Sequence, residues 1–222
     1  MTENVRLYIS IPSNRKWEPE FGMAFAYLMS YLSSAGIKAD GYAMELARPQ
    51  LLRQSSNLSK SRQYFVDDMI ANNFTHWLSL DDDMTFPPDI VDRLISHGKD
   101  IVSCNARFKE EKLIGSCQGL DGQPLNSSKN TGLEELMTMG GAIFLAKIDA
   151  FKHIPKPHFQ VLWSKPHNDY VSEDVHFAAL LRANGIKLWA DHDTSKQIGH
   201  IGDREYKWPE ETNIINLRTV AA

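Results

Sequence analysis

Hydrophobic residues along the chain occur either in short continuous runs or at the three- and four-residue spacing of a helix. Short, mostly apolar runs predict buried strands at Val5–Ile11, His76–Leu80 and Asp100–Cys104. Helical spacing predicts two longer segments, Phe21–Ala35 and Asn57–Asn72. The first half of the chain is therefore expected to alternate between strands and helices.

The alternation continues in the second half after one stretch with little pattern, Arg107–Thr131, which predicts a loop or an antiparallel hairpin. The elements expected around it are, in chain order, a short helix at Pro88–His97, strands at Leu133–Met139 and Ala142–Ala146, a helix at Ser172–Asn184 and a strand at Lys187–Ala190. Repetition of strand, helix and strand predicts one α/β domain over residues 1–222 with a mostly parallel sheet.

Several boundaries are marked by residues that stop or start regular structure. Pro12 is expected to end the first strand, because proline has no backbone N–H to donate. Gly36 and Gly185 follow predicted helices as C-caps, and Ser172 is a natural N-cap for the last helix. A weaker strand is expected at Ile37–Met44.

The composition is that of a globular protein without a strong charge bias. The 222 residues include 28 acids and 24 bases, which gives a net charge of −4, and 42% of them are hydrophobic. This balance excludes attraction of the whole surface to nucleic acid or anionic lipid, so any polyanion site is a local patch. The hydrophobic content excludes disorder of the whole chain.

Cysteines and targeting signals indicate the compartment. The two cysteines, Cys104 and Cys117, are too few for a disulfide framework or a cysteine zinc cluster and predict reduced thiols. The N-terminus lacks the basic-then-apolar order of a signal peptide, and no run approaches a membrane span. We therefore expect a cytoplasmic protein, in the host cytoplasm if the source is a virus, with no membrane partner.

Three adjacent carboxylates, Asp81, Asp82 and Asp83, follow the predicted strand His76–Leu80. Such charges repel one another and are tolerated where a hard cation or hydrogen-bond donors offset the repulsion. Ligands of open α/β sheets lie beyond the carboxyl ends of the strands, so these acids stand where a divalent metal would bridge a phosphorylated ligand. The alternative is a solvated acidic turn before the next helix.

Three kinds of site use acids in a comparable arrangement. A calcium loop is excluded, because Thr85 and Phe86 occupy its fifth and sixth positions. The run Asp81–Thr85 resembles the motif of haloacid-dehalogenase-like phosphatases, with Asp81 as nucleophile, although that family carries the motif near the N-terminus. The third kind is a nucleotide-sugar site.

Two downstream segments bear on this choice. Glu173 and Asp174 stand in the first turn of a predicted helix, where they either complement its dipole or supply a general base. His200 stands between Gly199 and Gly202, where small neighbours let an imidazole and a ligand approach the backbone. A single histidine of this kind is either a structural side chain or a metal ligand.

The order of these segments resembles that of the GT-A glycosyltransferases. Their pattern is Asp-x-Asp after a strand, a glycine-containing loop, an x-Glu-Asp helix start and a C-terminal histidine. It is matched here by Asp81–Asp83, Gly140-Gly141, Ser172–Asp174 and His200. The amino-acid sequence around these motifs is most similar to that of small phage- and virus-type members. The resemblance spans about residues 5–202 and implies a single-domain GT-A fold, an α/β/α sandwich with a mostly parallel sheet.

The resemblance also implies an activity, the metal-dependent transfer of a hexose, with glucose as the first choice, from a UDP-sugar to a hydroxyl group. Mn²⁺ or Mg²⁺ would be held by Asp81, Asp83 and His200. Asp174 would be the catalytic base with Glu173 as its acidic neighbour, and base-assisted attack would invert the anomeric configuration. The residues implied in donor binding are Ile11, Pro12, Ser13, Arg62, Asp81, Asp82, Gly140 and Gly141.

Some of these assignments carry a more specific expectation. Ile11–Ser13, at the end of the first strand, would line the nucleoside pocket, and Gly140 and Gly141 would let the sugar and the acceptor approach the backbone. Arg62 is either a cation near the base or phosphates or an ordinary surface arginine. Residues 1–105 would form the nucleotide-sugar half of the domain and residues 106–222 the acceptor half.

The acceptor is suggested by a segment without acids, Ala150–Asn168, which contains three lysines, three histidines and three aromatic residues. A second acid-free stretch contains Arg48, Arg53, Lys60 and Arg62. Basic residues interleaved with aromatics suit a polyanionic, base-stacking acceptor, such as phage-type DNA with 5-hydroxymethyl pyrimidines. The alternatives are a glycan or protein acceptor and an ordinary proline-rich surface loop whose aromatic residues anchor it to the core. The non-enzymatic alternative is a module that binds a nucleotide sugar or nucleic acid without turnover.

Overall fold

A computed structural model describes residues 3–13, 16–35, 42–46, 50–53, 57–166 and 168–209. The strands within these ranges are β1 (Glu3–Ser13), β2 (Tyr42–Leu46), β3 (Gln50–Arg53), β4 (His76–Leu80), β5 (Met84–Thr85), β6 (Ile101–Ser103), β7 (Gln118–Gly119), β8 (Leu133–Thr138), β9 (Ile143–Lys147), β10 (Leu162–Ser164), β11 (Asp169–Val171), β12 (Leu188–Asp191), β13 (Gly199–Ile201) and β14 (Glu205–Tyr206). The α-helices are α1 (Pro19–Ala35), α2 (Leu58–Ala71), α3 (Ile90–Ser96), α4 (Glu173–Ala183) and α5 (His192–Ser195). A 3₁₀ turn covers Ile148–Phe151.

Nine of these strands form the central sheet, in the order β2-β1-β4-β9-β6-β12-β8-β7, with β3 pairing with the end of β1. The strands β1, β2, β3, β4, β6, β7 and β12 run in one direction, and β8 and β9 run in the opposite one. The predicted α/β domain with a mostly parallel sheet is confirmed.

Helices cover both faces of this sheet. The side chains of β1 point alternately to the two faces, and each face packs in its own hydrophobic cluster. Leu7 and Ile9 belong to a cluster with residues of α1 and α3, whereas Tyr8 belongs to a cluster with residues of α2 and α4. Val5, Leu7, Tyr8, Ile9 and Ile11 are all fully buried, so most of β1 is excluded from water on both faces, as in a central parallel strand. The arrangement is an α/β/α sandwich.

The ends of the elements agree with the sequence in some places and differ in others. Asn57 caps α2, and its side chain accepts a hydrogen bond from the backbone N–H of Lys60 at 3.0 Å. The expected end of β1 at Pro12 is wrong, because the strand continues to Ser13. A proline this close to the end of a strand removes only one hydrogen bond from the ladder.

The predicted strand Ile37–Met44 is only partly covered by the structure. β2 begins at Tyr42, and residues 37–41 of the prediction lie outside the described residues. Within Arg107–Thr131, Arg107 bridges to Gly115 in an antiparallel sense, and β7 pairs with β8 of the main sheet. Part of this segment is therefore the hairpin that the sequence allowed.

Two further expectations concern cysteines and membranes. Cys104 and Cys117 are both free thiols and both buried. No helix in the described ranges has the length and apolar character that crossing a membrane requires.

The carboxyl ends of β1, β4 and β6 meet at one edge of the sheet, because these strands run in the same direction. A separate three-stranded antiparallel sheet, β14-β13-β5, lies beside this edge, since β5 begins directly after the acidic residues. β13 pairs with β5, which sets His200 opposite Met84, one residue after Asp83. Segments that are far apart in sequence are thereby gathered where the acidic residues follow β4.

Candidate active site

Asp81 begins the site at the end of β4. Its backbone N–H donates to the carbonyl of Ala142 at 2.8 Å, which ties the strand end to the loop before β9. The end of β1 lies beside it, since Ser10 pairs with Ser79 and β1 continues through Ser13. Ile11 and Pro12 are buried, and Ser13 is half-buried. The end of the first strand and the acidic tract are therefore neighbours.

Arg62 of α2 is a buried cation that connects three other parts of the site, and its side chain is 2% exposed. Its guanidinium contacts Glu173 Oε1 at 2.5 Å and Asp81 Oδ1 at 3.1 Å, and it donates to the carbonyl of Gly141 at 3.1 Å. The surface arginine that the sequence allowed is wrong. A charge this deeply buried is retained because two carboxylates and a carbonyl surround it.

The two glycines before β9 make room for protein groups. A Cβ atom at Gly141 would collide with the guanidinium of Arg62, and a Cβ atom at Gly140 would lie 2.5 Å from Cβ of Ser116. The expectation that these glycines admit the sugar and the acceptor stays a prediction. In the structure, the space that side chains at these positions would fill is occupied by Arg62 and Ser116.

Glu173 and Asp174 are adjacent in sequence but have different partners. Glu173 pairs with Arg62. Asp174 accepts hydrogen bonds from the backbone N–H of Gly141 at 3.2 Å, from that of Val175 at 2.8 Å and from the hydroxyl of Ser172. Ser172 stands at the N-cap position of α4 as predicted, yet its hydroxyl donates to Asp174. These donors fix the orientation of the Asp174 carboxylate.

Burial raises the pKa of Asp81 to about 6, against the opposing attraction of Arg62, and the charges of Asp83 and Asp174 raise it further. The ionised Asp81 carboxylate is therefore costly to the folded protein at neutral pH. Retention of a costly carboxylate at a strand end is typical of a functional position.

In the metal-free protein, replacing Asp81 with asparagine is expected to remove a pH-dependent loss of stability, so that the stability of the wild type relative to the variant falls by about 2 kcal/mol between pH 4 and pH 7.5. The folded pKa of about 6 exceeds the ordinary 3.8, so the wild-type protein loses stability as pH rises through this interval. Urea unfolding in EDTA between pH 4 and pH 8 measures the difference, with exposed Glu110→Gln as control. A stability difference that does not change with pH would contradict the expectation.

A second group surrounds Asp83. Its Oδ2 atom lies 2.6 Å from Lys109 Nζ and 3.4 Å from His200 Nε2. Burial acts to raise the pKa of Asp83, but its interactions with His200 and Lys109 outweigh burial, and the pKa is lowered. The backbone of Ile201 donates to the Asp83 carbonyl at 2.7 Å, which holds β13 beside the acidic tract.

The hydrogen bonding of His200 determines which ring nitrogen faces Asp83. Nδ1 lies 2.9 Å from the carbonyl of Arg107, and since a carbonyl only accepts, Nδ1 carries a proton. In the neutral ring, Nε2 then directs a lone pair towards a carboxylate oxygen. Two such groups face each other favourably only with a proton or a cation shared between them.

The fit of these residues to a divalent ion rests on the donor set. Among the residues that the structure describes, no three histidine, cysteine, aspartate or glutamate side chains form a ready metal centre. Asp83 and His200 are close together, whereas Asp81 faces Arg62. One carboxylate and one imidazole fit Mn²⁺ or Mg²⁺ when the ion takes its remaining ligands from phosphates and water.

Within the segment Ala150–Asn168, two of the three aromatic residues agree with the alternative of a surface loop that its aromatics anchor to the core. Phe151 and Phe159 belong to the hydrophobic core. Trp163 on β10 packs edge to face against Tyr170 on β11, and these two rings are 50% and 69% exposed. Of the second basic stretch, Lys60 is exposed and Arg62 is internal, while Arg48 lies outside the described residues.

A cleft of about 690 Å³ lies beside Glu173. It extends between the start of α2 and the chain that leads into β10, and its lining residues are Asn57, Leu58, Ser59, Phe159, Gln160, Val161 and Glu173. Through Glu173, the cleft borders the ion pair with Arg62.

Sequence reasoning missed two contributors to the site. Lys109 lies in the segment with little pattern, and nothing in its neighbours indicated a contact with Asp83. Ser172 is expected from the sequence as a helix cap and as the first residue of the x-Glu-Asp motif, but its hydrogen bond to the Asp174 carboxylate was not expected.

Comparison with known proteins identifies the fold. No family model matches the chain, and no curated protein is significantly similar in sequence. Among 204 similar solved chains is A197 from STIV, with a TM-score of 0.56 and 18% identity over 90% of this chain and 87% of that one. GalNAc-T7, solved with UDP, GalNAc and Mn²⁺, has a TM-score of 0.57 and 11% identity over 89% of this chain and 43% of that one. The chain thus spans less than half of GalNAc-T7, and it has the GT-A fold.

Proposed function

We propose that this protein is a metal-dependent, inverting glycosyltransferase that transfers a hexosyl group from a UDP-sugar to a hydroxyl acceptor. The observation that carries the proposal is the approach of His200 Nε2 to Asp83 Oδ2 at 3.4 Å, at the sheet edge that also presents Asp81. GalNAc-T7, which has the same fold, was solved with UDP and Mn²⁺. The fold favours this interpretation over a haloacid-dehalogenase-like phosphatase with Asp81 as nucleophile.

The donor would bind along the carboxyl ends of β1 and β4. Ile11, Pro12 and Ser13 would line the nucleoside pocket, and Asp81 and Asp82 would contact the donor. Asp83 and His200 would hold Mn²⁺ or Mg²⁺, which supplies positive charge for the leaving diphosphate. We assign the nucleotide-sugar half of the domain to residues 1–105 and the acceptor half to residues 106–222. His200 belongs to the second half but would bind the ion beside Asp83 of the first.

Asp174 would take the proton from the acceptor hydroxyl. The hydroxyl oxygen would attack the anomeric carbon at the same time, and the nucleoside diphosphate would leave. The N–H groups of Gly141 and Val175 hold the carboxylate in one orientation, as general-base catalysis requires. Glu173 is assigned a positioning role, because it neutralises Arg62 and thereby holds α4 against Asp81. Attack on the face opposite the leaving group inverts the configuration.

The acceptor that suits the cleft beside Glu173 is a neutral glycan. The described residues that line it include amides, a hydroxyl and one carboxylate but no lysine or arginine. The exposed Trp163–Tyr170 pair adds aromatic surface on which a sugar ring would pack. DNA with hydroxymethylated pyrimidines is the second acceptor class, and it would have to approach a protein with a net charge of −4.

A donor-hydrolysis screen tests the proposal. The protein is incubated with UDP-, GDP- and CMP-sugars in Mn²⁺, in Mg²⁺ and in EDTA, and release of the nucleotide is measured. We expect slow hydrolysis of a UDP-hexose that EDTA abolishes. Addition of oligosaccharides, or of DNA containing hydroxymethylcytosine, then identifies the acceptor by a product heavier by one hexose, whose NMR spectrum reports inversion. An aspartyl-phosphate on Asp81, or nucleotide binding without any turnover, would contradict the proposal.

A further inference from the structure

Lys109 contributes an ammonium group to the Asp83 and His200 pair. Its Nζ lies 2.6 Å from Asp83 Oδ2, the same oxygen that His200 Nε2 approaches at 3.4 Å. The Lys109 side chain is 37% exposed, so its end is free to move into solvent. The structure therefore has a cation of its own at the carboxylate oxygen that a divalent ion would bind.

The loop that carries Lys109 is held in place on both sides. The guanidinium of Arg107 donates to the carbonyls of Glu110 and Glu111, each at 2.9 Å, and to the carbonyl of Lys207 at 3.2 Å. On the other side, Gly202 leaves space for the lysine stem, since a Cβ atom there would lie 3.2 Å from Lys109 Cδ. The loop backbone thus directs this side chain towards Asp83.

We propose that Lys109 occupies the cation position at Asp83 as long as no divalent ion binds there, and that its ammonium group moves to the donor diphosphate when an ion takes its place. This inference rests on the proposed function. An ion that binds Asp83 displaces the ammonium from its counter-charge, and a diphosphate beside the ion supplies a new one. Lys109 therefore opposes binding of the ion alone and favours binding of the diphosphate, so that the two ligands enter together.

The proposal predicts opposite effects of one substitution on two ligands. In Lys109→Met, the affinity for Mn²⁺ without nucleotide should rise about threefold to fivefold, because the competing ammonium is gone. The affinity of the Mn²⁺-saturated protein for inorganic pyrophosphate should fall by a similar factor, because the ammonium that the ion has displaced from Asp83 is no longer there to bind the phosphates. Isothermal titration calorimetry measures both, and pyrophosphate is the probe because it carries the two phosphates whatever the nucleoside.

Two variants serve as controls. Lys112→Met removes an exposed lysine from the same loop and should leave both affinities at the wild-type values. Lys109→Arg keeps the charge and should retain pyrophosphate binding. A role of Lys109 in folding alone would weaken both ligands in Lys109→Met, so the rise in Mn²⁺ affinity separates the two explanations.

The outcomes distinguish this inference from the proposed function. If the wild-type protein binds Mn²⁺ and pyrophosphate but Lys109→Met binds Mn²⁺ no more tightly, or pyrophosphate no more weakly, the role of Lys109 is refuted and the proposed function stands. If the wild-type protein binds neither ligand, the proposed function itself fails.

Discussion

Asp174→Asn is expected to lower the rate of sugar transfer by about 10²–10⁴-fold while leaving donor binding nearly unchanged. Asparagine preserves the shape of the side chain and one acceptor oxygen for the Gly141 N–H, but it cannot take a proton from the acceptor hydroxyl. The loss should fall on kcat, because the base acts only as the reaction proceeds. Steady-state kinetics with the identified donor and acceptor, together with UDP titration, measure the two effects.

The matched control for this prediction is Asp169→Asn, which removes an exposed carboxylate from β11 only five residues away. Its transfer rate should equal that of the wild-type protein. Thermal unfolding of both variants checks that the new amide at position 174, which meets the N–H of Val175, has not disturbed the start of α4. Transfer by Asp174→Asn at more than about a tenth of the wild-type rate would remove the assigned role of the base.

Asp83→Asn is the second substitution with a large expected effect, a loss of activity of at least about 10³-fold that added Mn²⁺ does not restore. The asparagine side chain has no charge with which to hold a divalent ion. The substitution also removes the negative charge that pairs with Lys109. Titration of Mn²⁺ by calorimetry or electron paramagnetic resonance should show binding to the wild-type protein and none to the variant at the same concentration.

Asp203→Asn provides the comparison for the loss at Asp83, since Asp203 is an exposed carboxylate near β13 that accepts a hydrogen bond from Tyr206. It should bind Mn²⁺ as the wild-type protein does. Wild-type activity that persists in EDTA, or Mn²⁺ binding that survives Asp83→Asn, would show that the ion is not held at this carboxylate.

The elements that carry the site were predictable because their signals are local. The apolar run of β4 followed by three acids predicts a strand end with charged groups, and all five residues of β4 are buried. The start of α4 follows from a capping serine and two acids within three positions. Parallel strand direction then brings the ends of β1 and β4 together without further information.

The internal position of Arg62 could not be predicted from its neighbours. Its partners Asp81, Gly141 and Glu173 are 19, 79 and 111 positions away in sequence, so no local pattern marks the contact. The same holds for Lys109, which meets Asp83 across 26 positions. The basic neighbours of Phe151 and Phe159 leave two interpretations open, a base-stacking surface and an anchor to the core, and the 3₁₀ turn and the chain after it direct both rings into the core.

The buried guanidinium of Arg62 has a consequence for how the domain is built. The arginine comes from the amino-terminal part of the chain and one of its two counter-charges, Glu173, from the carboxyl-terminal part, so neither part alone neutralises it as the whole does. A fragment that ended near residue 105 would keep Asp81 but lack Glu173. The guanidinium of Arg62 would then lose one counter-charge and the packing of α4 that covers it. The two parts of the domain are therefore expected to acquire their native form as one cooperative unit, and a recombinant protein split between them would depend on reassociation of the pieces.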